Sequence, residues 1–385
     1  MRLEEIFVLL LAREVLEKRV DDSKIRDTLT ETPQMLYSLY ELSKMHDMAH
    51  IICLALKNIG AWGDGEVFKK FQRQQNLSVY RCEQMRIELG KVGCELEKSH
   101  IPYMFLKGAC VSLLYPQSWM RTSSDIDILV KAEDKKAAED VVVTECGYVS
   151  KSHSGTEITL HNPEGFCVEL HHGNGSRKIE EIPQDVWENA TCDEGTYRYI
   201  MTGEMLYYHI ISHMTKHVAW SGCGIKPFLD MYILEKKLEL DFDKIKLMLE
   251  KGKLYKAYKA LHRTAEVWFD GAQSDKLTSI IRKHVLMGGS YGNQITGTNM
   301  THRNKGGKVR YILWLLLPDR MEMERRYPVL RVHPSRLPIY HIKRWGHLIF
   351  GGRIKSSAEI VKTHMGFSDE NAKELDYMLK EMEIK

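Results

Sequence analysis

The strongest constraint on this chain is a six-residue run, Asp125-Ile126-Asp127-Ile128-Leu129-Val130, in which acids and apolar residues alternate. Successive side chains of a strand point to opposite faces, so Asp125 and Asp127 share one face and Ile126 and Ile128 the other. Two carboxylates held that close repel unless a cation sits between them. Mg²⁺ suits the position, because it takes oxygen ligands and keeps places open for phosphate oxygens. Just upstream, Ile101 to Leu106 reads as a short strand, Gly108 permits a tight turn, and Ala109 to Tyr115 reads as a helix. Free N–H groups at such a strand–glycine–helix junction, with the helix dipole behind them, make an anion site. Lys107 adds a positive charge beside it.

Further along, residues 156–161 and 166–171 flank Asn162-Pro163-Glu164-Gly165. β-rich runs around a Pro/Gly turn are a hairpin signal. In the second run Val168 and Leu170 face one way, and Glu169 and His171 the other.

Lys107-Gly108, Tyr115-Pro116, Arg121 and the run from Asp125 to Val130 together resemble the uncharacterised nucleotidyltransferase family of the polymerase-β-like superfamily. The resemblance implies an α+β fold: a small mixed sheet with helices behind it, flanked here by N-terminal and C-terminal helical regions. It implies two metal-binding aspartates on one strand, Asp125 and Asp127, and a third carboxylate on a neighbouring strand. Val168-Glu169-Leu170-His171 is the expected partner motif, so Glu169 carries over as that acid. The turn departs from the superfamily pattern of Gly-Gly or Gly-Ser, since Gly108-Ala109 offers the phosphates no hydroxyl.

The expected chemistry is Mg²⁺-dependent transfer of a nucleoside monophosphate, AMP from ATP, to a hydroxyl of an unidentified acceptor (a small molecule, a sugar or a protein). Asp125, Asp127 and Glu169 are the expected catalytic residues and metal ligands, for two Mg²⁺ ions or Mn²⁺ in their place. Lys107, Gly108, Ala109, Arg121 and Ser124 are expected on the nucleotide, and His171 on the acceptor side. Two alternatives use the same fold: a non-catalytic nucleotide-binding or scaffold protein, and a phosphotransferase acting at the same site. Nucleic acid ranks last as a partner, because no RNA-binding module is recognisable. No Rossmann or Walker fingerprint is present.

At 385 residues the chain is long enough for two or three domains, and 43% hydrophobic with 28% charged residues is the composition of an ordinary soluble protein. The net charge of +3 is unevenly spread: residues 302–362 hold fourteen Lys/Arg against four Asp/Glu, a local +10 that leaves −7 elsewhere. A basic region of this kind suits either a polyanionic partner or a solvated helical face. The eight cysteines are scattered without a Cys-x-x-Cys pair, which excludes a zinc module and fits a reducing cytoplasm. The first residues have acids before a short apolar run, unlike a signal peptide. The longest apolar blocks, 6–12 and 311–317, are seven residues each, too short to span a membrane.

The pattern divides the chain into an N-terminal helical region (1–65), a nucleotidyltransferase-like core (66–175) and a C-terminal helical region (176–385). Ile6, Leu9 and Leu10 begin a helical stripe with Arg13, Glu14 and Lys18 on the wet side. Met85, Leu89, Val92 and Leu96 share one face of a long helix from Glu66 that should cross the sheet. Ala132 to Cys146 reads as a helix stopped by Gly147. Residues 173–178 are a Gly-rich exit from the core, and residues 288–307 a long Gly-rich loop. Between them, His209, His213 and His217 recur every fourth residue. Such a row converges on a metal, but the Glu of a zinc protease is missing, and a face of hydrogen-bonded or solvated histidines is the simpler reading. Lys226 and Asp230 follow in a stretch that resembles the family's turn before a helix with an internal Asp; Lys226 is expected either to reach a phosphate or simply to be exposed, and Asp230 to order local hydrogen bonds on an apolar helix.

Overall fold

A computed structural model describes residues 1–173, 179, 181–192, 194–220, 222–289, 314, 317–327, 329–350 and 369–384. Most of the 173–178 exit and of the 311–317 block, nearly all of the 288–307 loop, and about half of the basic 302–362 region lie outside these residues.

Four helices open the chain: α1 (Leu3–Leu16), α2 (Asp22–Glu31), α3 (Pro33–Met45) and α4 (Ala49–Asn58). Asp21 caps α2 by accepting from the Lys24 N–H, and Pro33 begins α3, where its missing N–H costs nothing. The expected wet side of α1 fails at Glu14. That residue is 9% exposed and accepts a hydrogen bond from Asn58 Nδ2 at 2.9 Å, because α1 is enclosed by α3, α4 and later helices.

The 33-residue helix α5 (Glu66–Lys98) leads into β1 (Tyr103–Phe105). A one-turn helix α6 (Lys107–Val111) and a 3₁₀ turn at Ser112–Leu114 replace the expected helix to Tyr115. Pro116 holds Tyr115 extended, at ψ 154°, and ends the helical run early. Then come β2 (Asp125–Val130), α7 (Lys135–Thr144) and three strands, β3 (Val149–His153), β4 (Glu157–His161) and β5 (Cys167–His171). The sheet order is β1-β2-β5-β4-β3, with β2 and β5 parallel and every other pairing antiparallel. The β4–β5 turn closes as its residues predict: Phe166 N–H donates to Asn162 Oδ1 at 2.8 Å, and Gly165 adopts φ +91°.

One face of this sheet is apolar. Ile126, Ile128, Val130, Ile158, Leu160, Val168 and Leu170 pack on Val92 and Leu96 of α5 and on Ala138 and Val142 of α7. The other face carries the acids. Helix α8 (Val186–Asn189) and a two-stranded ribbon, β6 (Thr191–Cys192) with β7 (Tyr199–Ile200), follow the sheet. Helices α9 (Gly203–Trp220), α10 (Lys226–Lys237), α11 (Phe242–Lys251), α12 (Tyr255–Phe269) and α13 (Lys276–Gly288) come next. Further helices cover Arg320–Arg326, Val329–Val332, Leu337–Phe350 and Asp369–Glu381. A second core joins α1 and α4 to α9, α10, α12 and α13, so residues near both ends of the chain share one apolar interior. Among the described residues, no helix is long and apolar enough to cross a membrane, and every described cysteine is a free thiol.

Candidate active site

Strand pairing sets the acids side by side. In the β2–β5 register Asp127 lies opposite Glu169 and Leu129 opposite His171. Asp125 is two residues before Asp127 and shares its face. Thr159 and Glu157 of β4 lie opposite Glu169 and His171 and continue the same face. Oxygen and nitrogen atoms of Asp127, Glu169 and His171 all come within 4.8 Å of one another. Asp125 lines the same cleft without joining that tight group.

Two donors converge on one oxygen of Asp127. Lys107 Nζ reaches Oδ1 at 2.7 Å, and His171 Nε2 donates to it at 2.8 Å while lying 3.7 Å from Glu169 Oε2. Asp127 is only 3% exposed. Burial alone would disfavour its charge, but Lys107 and His171 outweigh burial and hold the carboxyl well below the usual range. Glu169 goes the opposite way. Burial and the neighbouring Asp127 push it up to about 7, with Lys107 only partly compensating. The sheet face thus carries more acid than its own cations balance.

The turn after β1 is tailored to hold Lys107 there. Lys107 sits at φ +41°, in the left-handed region that side chains usually avoid. Gly108 follows, and a Cβ on it would stand 2.8 Å from Ser123 Oγ. That hydroxyl donates to Asp125 Oδ1 at 3.0 Å, so the glycine makes room for a side chain that steadies an acid. Ser124 is exposed at the cleft edge. The Ala109 N–H, expected to face an anion, donates to the Leu106 carbonyl at 3.2 Å.

Arg121 also meets a partner of the chain's own. Its Nε and Nη2 bond Asp230 of α10 at 2.9 Å, and Nη1 donates to the Thr122 carbonyl at 2.8 Å. Tyr115 OH donates to the same Asp230 at 2.7 Å. Asp230 therefore has the hydrogen-bonding role read from its apolar helix, and the Arg121 guanidinium is committed to it.

Helices form the facing wall of a cavity of ≈ 320 Å³ that includes Asp125, Asp127 and Glu169 on one side and His213, Lys216 and Lys226 on the other. Lys226 Nζ lies 3.0 Å from Asp47 Oδ2 and 2.9 Å from Thr122 Oγ1, and burial lowers its pKa. Lys216 Nζ bonds Glu181 Oε1 at 2.6 Å. Asp47, Glu181 and Glu157 went unmarked in the sequence. Glu157 was discoverable from strand alternation, since it shares the face of Glu169. Asp47 and Glu181 leave no local signal, because their partners lie far along the chain.

The family model described as uncharacterised nucleotidyltransferase matches residues 36–270, more than half of the chain. Two similar solved structures are both of ANT(2'')-Ia. One, a crystal structure in complex with adenylyl-2''-tobramycin, is 12% identical and covers 43% of this chain and 94% of its own, with a TM-score of 0.33. The other, a solution structure, is 12% identical and covers 49% of this chain and 99% of its own, with a TM-score of 0.34. Among curated proteins none matches.

Proposed function

The chain belongs to the uncharacterised nucleotidyltransferase family, and from that premise we propose that it transfers AMP from ATP to a hydroxyl of an acceptor molecule. The observation that carries the reading is the pairing of Asp127 with Glu169 on adjacent parallel strands, with Asp125 on the same face.

The donor set fits divalent metal. Three carboxylates on one face exceed the local positive charge, and Glu169 is raised to about 7 by burial first and by the neighbouring Asp127 second. Asp125, Asp127 and Glu169 would hold Mg²⁺, two ions being the usual complement for such chemistry. Bound metal there supplies charge neutralisation at the transferring phosphorus and at the pyrophosphate that leaves. In the transfer itself the acceptor oxygen bonds to the α-phosphorus as the bond to pyrophosphate breaks. Glu169 is the carboxylate that takes the hydroxyl proton. Lys107, already among the acids, is the cation placed to meet the phosphates, with Gly108 giving close approach and Ser124 at the rim. His171 orients Asp127. Arg121 contributes by fixing the turn before β2 to α10.

A binding-only role is the second reading. It is favoured by three expected phosphate donors that already have partners: the Ala109 N–H, the Arg121 guanidinium and the Lys107 ammonium, which bonds Asp127. Calorimetric titration of the four nucleoside triphosphates with Mg²⁺, followed by pyrophosphate release with candidate acceptors, separates the two. Metal-dependent binding of ATP that disappears in Asp125→Ala/Asp127→Ala supports the site. Binding unchanged by those substitutions removes it, and binding without pyrophosphate release across an acceptor panel favours the second reading.

A further inference from the structure

Helix α9 carries three histidines at four-residue spacing, and a single residue sets the proton positions of two. The Glu181 carbonyl accepts from His209 Nδ1 at 2.8 Å, and its carboxylate accepts from His213 Nδ1 at 3.0 Å. A carbonyl and an ionised carboxylate can only accept, so both rings carry the proton on Nδ1 and a lone pair on Nε2. That tautomer is the one in which imidazole binds a metal through Nε2, and a carboxylate behind the ring is the usual support for such a ligand. His217 brings its Nε2 to 3.0 Å from the Nε2 of His213. Two nitrogens at about 2.1 Å from one ion stand about 3.0 Å apart in adjacent octahedral positions and about 3.4 Å apart in a tetrahedral set. Because His213 Nε2 accepts, His217 Nε2 carries the proton of this contact; the pair is at chelating distance once that proton moves to His217 Nδ1 as the cation binds.

The geometry points to a second cation site, in which His213 and His217 chelate a divalent metal of the Zn²⁺ class, with Glu181 orienting His213. Its remaining positions face the cleft, which both rings line, and would take water or an anionic oxygen. Nitrogen ligands select Zn²⁺, Co²⁺ or Ni²⁺, whereas the carboxylates across the cleft select Mg²⁺. The inference is independent of the transfer reaction, and its test needs no turnover.

Zn²⁺ titrated calorimetrically into the full chain bearing Asp127→Asn/Glu169→Gln, which weakens the oxygen site, is expected to bind one equivalent. His217→Gln keeps an N–H donor for His213 but no ring nitrogen, and should weaken that binding by about tenfold or more. Glu181→Gln should weaken it by about 10–100-fold. X-ray absorption of the zinc-loaded protein should count two imidazoles. Zinc bound equally tightly after His217→Gln, or not bound by the folded parent, overturns the site and leaves an N–H···N hydrogen bond in its place. Should circular dichroism show the parent unfolded, the comparison is made between wild type and His217→Gln. A loss of one equivalent then supports the clamp, and equal stoichiometry rejects it.

Discussion

The sheet side of the cleft crowds like charges, with Asp125, Asp127 and Glu169 served by one lysine and one histidine. On the helical side and the turn that docks on it, Lys216, Lys226 and Arg121 have acids of their own: Glu181, Asp47 and Asp230. Charge left unbalanced leaves room for something that arrives, because repulsion among fixed carboxylates is relieved by an added cation or, at lower pH, by a proton. Charge already balanced holds structure, since breaking a buried pair leaves its other half stranded. Under the proposed function, the sheet side serves the reaction and most of the helical side serves architecture.

The largest test of that contrast removes the sheet-side centre. Asp127→Asn should cut pyrophosphate release by about 10³-fold or more while the protein still melts cooperatively; retained turnover would break the assignment. On the opposite side, Asp230→Ala strands Arg121 and frees Tyr115, and should cost about 3–5 kcal/mol in denaturant unfolding. A cost near zero would mean that the helical pairs are as dispensable as surface ones.

Protonation separates the sides by sign. Without metal, Glu169 at about 7 in the fold lies above its ordinary 4.5, so the native state holds a proton that the unfolded chain has released. Its contribution is present at low pH and is lost as pH rises from about 4.5 to 7. His209 is lowered to about 4 from 6.5 by burial and by Lys107, so the unfolded chain takes up the proton first. Stability therefore falls as pH drops from 6.5 toward 4, by up to about 3 kcal/mol for this one ring. Melting temperature against pH in chelator should show both limbs, with Glu169→Gln flattening the alkaline one and His209→Gln the acid one. The smallest expected effect is Gly108→Ala. Its Cβ would press on Ser123 and cost about 1–3 kcal/mol, with nucleotide affinity falling because the Asp125 contact shifts.

The sheet side was legible because its logic is local. Alternation along Asp125–Val130 and the turn at Asn162–Gly165 each depend on neighbours in sequence, and the β2–β5 register brings them together as the resemblance implied. The helical side was not. Arg121 finds Asp230 109 residues away, and Lys226 finds Asp47 179 residues away, contacts that no periodicity announces. Glu14 was misplaced for the same reason: a helix enclosed on several sides has no wet face to read. The helix expected from Ala109 to Tyr115 was shortened by a proline that lay in plain view at 116.

The apolar interior shared by α1 and α12 has a consequence during synthesis. Helix α1 emerges more than two hundred residues before Tyr255–Phe269 exists to cover it. At about 5–20 residues per second, that is roughly ten to fifty seconds with part of its apolar surface still uncovered. The sheet, whose pairings close within residues 103–171, can be complete long before. A nascent chain of this protein should therefore mature from the middle outward, and its first helices are where a chaperone would have most to hold.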